Sequence, residues 1–155
     1  MISGYLKFNA QDKTDNQIAQ IAETHFQLYP PKVLQRGNGA EQSFQEAMLA
    51  YVNKDFTLAK SLFVHLKKEN AEINIYYANI LMKEGNFYDA IQSLELPNAF
   101  YDVNQRHNAE WYLALCYLHV GEKDKARKML YQIYDNESHL FNRKAKLLLD
   151  TLASQ

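Results

Sequence analysis

The chain has 155 residues, with 17 Lys and Arg against 18 Asp and Glu, a formal charge of −1. That balance excludes a general binder of nucleic acid or other polyanions. A composition of 47% hydrophobic and 23% charged residues excludes global disorder.

Residues 1–13 are polar and lack periodicity, and are expected outside any helix. Residues 1–11 carry neither the basic run nor the apolar core of a signal peptide. Thr14 reads as an N-cap, with Gln17 as its capping-box partner. Ile18, Ile21, Ala22 and His25-Phe26 then form a helical stripe over 14–28. Pro30-Pro31 stops it, and the segment containing Gly37-Asn38-Gly39 reads as a connector. From residue 40 to 152 the 3.6-residue period hardly stops. It predicts helices near 40–53, 55–69, 71–84, 86–95, 105–120, 122–135 and 138–153. Gly85 and Gly121 fall where a helix ends in left-handed geometry, and Ser138 reads as the last N-cap. With only five Gly and three Pro, the expected fold class is all-α. The expected organisation is an N-terminal extension, 1–39, and one compact repeat domain, 40–155. The longest apolar run, at residues 111–120, is short of the roughly 20 residues a membrane span needs.

Three segments repeat. Ala47, Ala78 and Ala114 each precede a second alanine, Ala59, Ala90 and Ala126, by 12 positions (59 − 47, 90 − 78, 126 − 114). The units are spaced by 78 − 47 = 31 and 114 − 78 = 36 residues. A period of this size means stacked helical hairpins. The small residues let two helix backbones approach, and Phe56, Phe63, Phe87, Leu94 and Leu130 fill the space between hairpins.

The pattern resembles the tetratricopeptide repeat (TPR). Lys54-Asp55-Phe56, Gly85-Asn86-Phe87 and Gly121-Glu122-Lys123 occupy the turn of that family, and Ala59, Ala90 and Ala126 its twentieth position. The resemblance covers residues 40–135. Lys54 departs from it, standing where Gly is usual; so do the second unit, cut by Pro97, and an insertion over 98–105. The final helix resembles the polar-faced cap that solenoids need. The run Tyr29-Pro30-Pro31-Lys32-Val33 and the Trp111 to Tyr117 run are similar to TPR regions of Bacteroidetes-type bacterial membrane proteins, in which a membrane helix precedes the repeats. The resemblance implies antiparallel hairpins stacked as a short right-handed superhelix, with an N-terminal helix and a C-terminal capping helix.

It also implies a groove lined by the first helix of each hairpin, binding a protein or peptide partner. The positions carried over are Glu41, Phe44, Met48, Tyr51 and Val52; Glu72, Ile75, Asn79, Met82 and Lys83; and Asn108, Trp111, Leu115, Leu118 and His119. Of these, Phe44, Met48, Tyr51, Asn79 and Lys83 are the candidate partner-binding residues, with Asn79 bonding a backbone amide of the partner. Tyr51→Ala is expected to cost about 2 kcal/mol of affinity with stability nearly unchanged. The family's carboxylate clamp is not expected, because only Asn79 matches it. The alternative is that Phe44, Ile75 and Trp111 are core, or are covered by the N-terminal helix.

Catalytic chemistry finds no constellation: there is no His-x-x-x-His, no Gly-x-Ser-x-Gly and no phosphate-cradling glycine loop. Cys116 and His119 share a helix face but have no third ligand nearby in sequence, so no metal or cofactor is expected and Cys116 is expected to pack. The basic cluster Lys123, Lys125, Arg127, Lys128, Arg143, Lys144 and Lys146, interleaved with Glu122 and Asp124, reads as a solvated face. The sequence therefore predicts a non-enzymatic interaction scaffold without nucleic acid, small-molecule substrate or membrane span. The alternative is a self-associating or membrane-anchored structural module. The default location is cytoplasmic; the alternative is a periplasm-facing domain.

Overall fold

The computed structural model describes residues 2–31, 40–66, 71–95 and 102–154, with side chains from residue 14 in the first stretch and 42 in the second. Among the described residues the protein is all-α, with eight helices and no strand. They are α1 (Ile2–His25), α2 (Ala40–Val52), α3 (Phe56–Leu66), α4 (Ala71–Lys83), α5 (Phe87–Leu94), α6 (Val103–His119), α7 (Lys123–Asp135) and α8 (Asn142–Ala153). The connector at Gly37-Asn38-Gly39, the residues before the expected boundary at 39/40 and the first half of the 98–105 insertion (98–101) lie outside the described residues.

Two expected boundaries moved. Helix α1 begins at Ile2, so Thr14 is inside it and is not a cap. Residues 5–25 contain no Gly or Pro, and Lys7, Ala10, Gln11 and Lys13 are good helix formers. Backbone preference carries this helix where the hydrophobic period is silent. Helix α8 starts at Asn142, not Ser138. The Asn136 Oδ1 accepts the Ser138 N–H at 3.1 Å, and the Asn136 carbonyl accepts the His139 N–H at 2.9 Å. This local turn claims the residues that would otherwise open the helix.

The three hairpin turns share one hydrogen-bond pattern. Gly85 and Gly121 both have φ +77°, and Lys54 takes the same left-handed geometry at +62°. After each, the next amide reaches back five residues: Asp55 to Ala50, Asn86 to Leu81 and Glu122 to Tyr117, at 2.8–2.9 Å. Lys54, Gly85 and Gly121 themselves donate to Tyr51, Met82 and Leu118. This pair of bonds is the Schellman termination, which satisfies the last carbonyls of the first helix. The six repeat alanines, 47, 59, 78, 90, 114 and 126, are all fully buried.

The chain forms two compact units. One comprises Leu28–Arg106. In it α2 packs on α3, α3 on α4 and α4 on α5, around Met48, Phe63, Ile75, Tyr76, Ile80 and Leu94. The other comprises Met1–Gln27 with His107–Gln155. There α7 packs on α8, and the interior holds Trp111, Leu115, Leu118, Leu130, Ile133 and Leu148. The Trp111 ring stacks on Phe141 at 5.0 Å and 3°.

Candidate functional site

The Leu28–Arg106 unit contains a strap with neither helix nor strand, residues 28–31, laid on the first helices of its two hairpins. Its sequence explains its conformation. Tyr29 and Pro30 each precede a proline, which disfavours helix for both. Pro30 and Pro31 have no N–H, so the strap can make no helix or ladder of its own and its carbonyls need outside donors.

The groove provides them. The Tyr51 hydroxyl donates to the Tyr29 carbonyl at 3.0 Å, and the Tyr76 hydroxyl to the Pro30 carbonyl at 3.1 Å. The Tyr29 N–H donates to Asn79 Oδ1 at 2.8 Å. The Asn79 Nδ2 donates to the Ile75 carbonyl at 3.0 Å, which fixes the amide's orientation. The Tyr29 ring lies 4.9 Å from that of Tyr76, and its hydroxyl donates to Glu72 Oε1 at 3.2 Å. Glu72 sits in the first turn of α4, where the helix dipole favours a carboxylate. Burial, then the Glu72 carboxylate, push the Tyr29 phenol above its ordinary value, so it stays neutral and donates.

Beneath the strap lies an aromatic floor. Tyr76 stacks on Phe63 at 5.7 Å and 12°, and Tyr51 meets Tyr76 edge-on at 5.2 Å. Tyr51 also packs against Phe56 and Phe63. Tyr29, Tyr51, Glu72, Tyr76 and Asn79 are all buried.

The candidate partner residues divide accordingly. Met48, Tyr51 and Asn79 are buried in the strapped unit. Phe44 is half-buried, 6.5 Å from Phe63, and Lys83 is exposed. The amide that Asn79 holds belongs to the chain's own Tyr29. One expectation needs correcting: Tyr51 is only 3% exposed and touches three other rings, so its truncation opens a cavity and cannot leave stability unchanged. Tyr29 and Tyr76 are absent from the groove positions that the resemblance carries over. The available signal was a Tyr-Pro-Pro run whose carbonyls lack local donors.

In the other unit, the end of α1 lies on α6. His25 meets Trp111 edge-on at 6.2 Å, Phe26 meets Tyr112 at 6.1 Å, and the Tyr112 hydroxyl donates to the Gln27 carbonyl at 2.8 Å. Tyr112 is the repeat equivalent of Tyr76 (76 + 36 = 112). His119 lies 3.7 Å from Glu23, and Lys123 pairs with Asp15 at 2.6 Å. Trp111, Leu115 and Leu118 are therefore interior, as the alternative reading had it for Trp111. In the same unit the His107 and His139 rings lie 4.0 Å apart, tilted by 33°, and His139 Nε2 meets Glu110 at 3.1 Å.

Burial pushes the Cys116 thiol up to about 12, so it packs as a small apolar group and presents no thiolate near neutrality. Among the described residues, no three His, Cys, Asp or Glu side chains gather closely enough to hold a metal ion. No described helix is long and apolar enough to cross a membrane. No family model, curated protein or solved structure matches this chain.

Proposed function

We propose that the chain is a non-enzymatic protein-interaction scaffold of TPR-like hairpins whose α2–α4 groove recognises an extended segment of a protein partner. In the free chain, residues 28–31 hold that place as an intramolecular ligand. One observation carries the reading. Asn79, Tyr51 and Tyr76 grip the strap through its backbone, at one N–H and two carbonyls, as a groove must to hold an extended peptide. The partner would displace the strap and inherit its bonds. The test is selection from a random peptide library on the Tyr29→Ala chain. Ligands should be enriched that Asn79→Ala then removes; enrichment indifferent to Asn79 would contradict the reading.

A second reading, a self-associating structural module, draws on a different surface. Leu49, Val52 and Leu58 stand 61%, 53% and 48% exposed on α2 and α3. Leu49, Leu58 and Leu62 line a groove of about 390 Å³ with Glu46 and Asp55. Exposed apolar surface of this kind marks association. Sedimentation velocity over a range of concentrations decides it: a strict monomer removes this reading.

A further inference from the structure

The strap shows which side chain the groove is shaped for. The Tyr29 ring is enclosed against Tyr76, and its hydroxyl ends on the buried carboxylate of Glu72. One residue on, the Pro30 carbonyl receives the Tyr76 hydroxyl. Tyr76 thus touches both residues of the pair, with its ring against one and its hydroxyl on the other. A phenylalanine would fill the same space and leave Glu72 without that donor. A phosphotyrosine would bring two negative charges against a carboxylate in a buried place, where like charges are costly.

We propose that the groove is selective for an extended Tyr-Pro segment of a protein partner, and that Glu72 is the specificity residue, choosing tyrosine over phenylalanine and rejecting phosphotyrosine. This rests on the peptide-binding reading above. Proline after the tyrosine serves the same selection. It holds the tyrosine away from helical geometry, as the strap requires.

The experiment uses the full chain carrying Tyr29→Ala, which vacates the ring site while keeping the strap backbone. Three labelled peptides with the sequence of residues 26–33 are titrated by fluorescence anisotropy, bearing Tyr, Phe or phosphotyrosine at the position of Tyr29. The Tyr peptide should bind saturably and the Phe peptide about tenfold or more weakly, the loss expected for one hydrogen bond to a charged group. The phosphotyrosine peptide should not bind. In the Tyr29→Ala, Glu72→Gln chain the penalty on phosphotyrosine should shrink. Equal binding of all three peptides would overturn the selectivity and leave the peptide-binding reading standing. No binding of any peptide to a folded Tyr29→Ala chain would overturn both. If that variant fails to fold, the Tyr29→Phe chain answers the same question. Excess Tyr peptide should release its strap, seen as faster amide exchange at residue 29, at a lower concentration than the Phe peptide needs. Equal potency, or no release by either, would overturn the proposal.

Discussion

Asn79→Ala isolates what the strap contributes to the fold. Asn79 is fully buried in α4, with its oxygen on the Tyr29 N–H at 2.8 Å and its nitrogen on the Ile75 carbonyl at 3.0 Å. Ile75 O retains its place in the helix ladder, so losing the second bond matters less. The Tyr29 amide has no such substitute. Tyr29 itself is only 8% exposed, so water does not readily replace the lost acceptor. A buried N–H left without a partner costs about 1–3 kcal/mol, and the deleted amide leaves a small void as well. The expected loss is therefore about 2–4 kcal/mol, or a midpoint lower by about 4–16 °C at 2–4 °C per kcal/mol for a chain of this size. Thermal and urea unfolding followed by far-ultraviolet circular dichroism would measure it. A variant within 0.5 kcal/mol of wild type, by the usual range for unimportant surface positions, would refute the claim that Asn79 anchors the strap.

Four further outcomes follow from the same geometry. Lys54→Gly should stabilise by about 0.5–1 kcal/mol, because it relieves a left-handed lysine but adds freedom to the unfolded chain; a destabilised variant in urea unfolding would contradict the turn assignment. Ala78→Leu or Ala114→Leu should each destabilise by about 1–3 kcal/mol through overpacking at a fully buried site, and wild-type melting of both would put the repeat out of register. Burial holds His25 and His119 below the ordinary histidine value, with Lys144 adding to the effect on His25 and Glu23 opposing it on His119. Since the unfolded chain then binds the protons more readily, stability contributed by these groups is lost as pH falls below about 6.5. Trp111 fluorescence during urea unfolding at pH 7.5 and 5.5 would show this, and a slope unchanged by replacing both histidines with Gln would contradict it. A disulfide thiol reagent should leave Cys116 untouched at pH 7.5 until the chain unfolds; rapid labelling of folded protein would place the thiol elsewhere.

The repeat was legible because its causes are local. A glycine at a helix end and an alanine at a close approach are chemical requirements that act within a few residues. Gly85, Gly121 and the six buried alanines accordingly lie where the spacing puts them. Lys54 was visible as a departure, and the backbone imposes the left-handed turn on it regardless. The first half of α1 was not legible, since a helix carried by backbone preference leaves no hydrophobic period to read. The strap was illegible for a different reason. The Tyr29 amide meets Asn79 across 50 positions, and nothing in the spacing says which extended segment will fill a groove. Part of the warning was nevertheless present. Glu72 and Asn79 are polar groups on the buried face of α4, and such groups require partners. The sequence reading has Asn79 bonding a backbone amide of a partner; in this structure Asn79 accepts from the amide of the chain's own Tyr29.

The most direct measurement is hydrogen exchange at the Tyr29 amide in the native protein, resolved by NMR. An amide held by Asn79 inside the groove should exchange at least about a hundredfold more slowly than in a free peptide of residues 26–33, a protection worth about 2.7 kcal/mol. Asn79→Ala should abolish that protection while leaving the core amides of α7 slow. A Tyr29 amide that exchanges at the free-peptide rate in the wild-type chain would contradict the account, because the groove would then hold nothing.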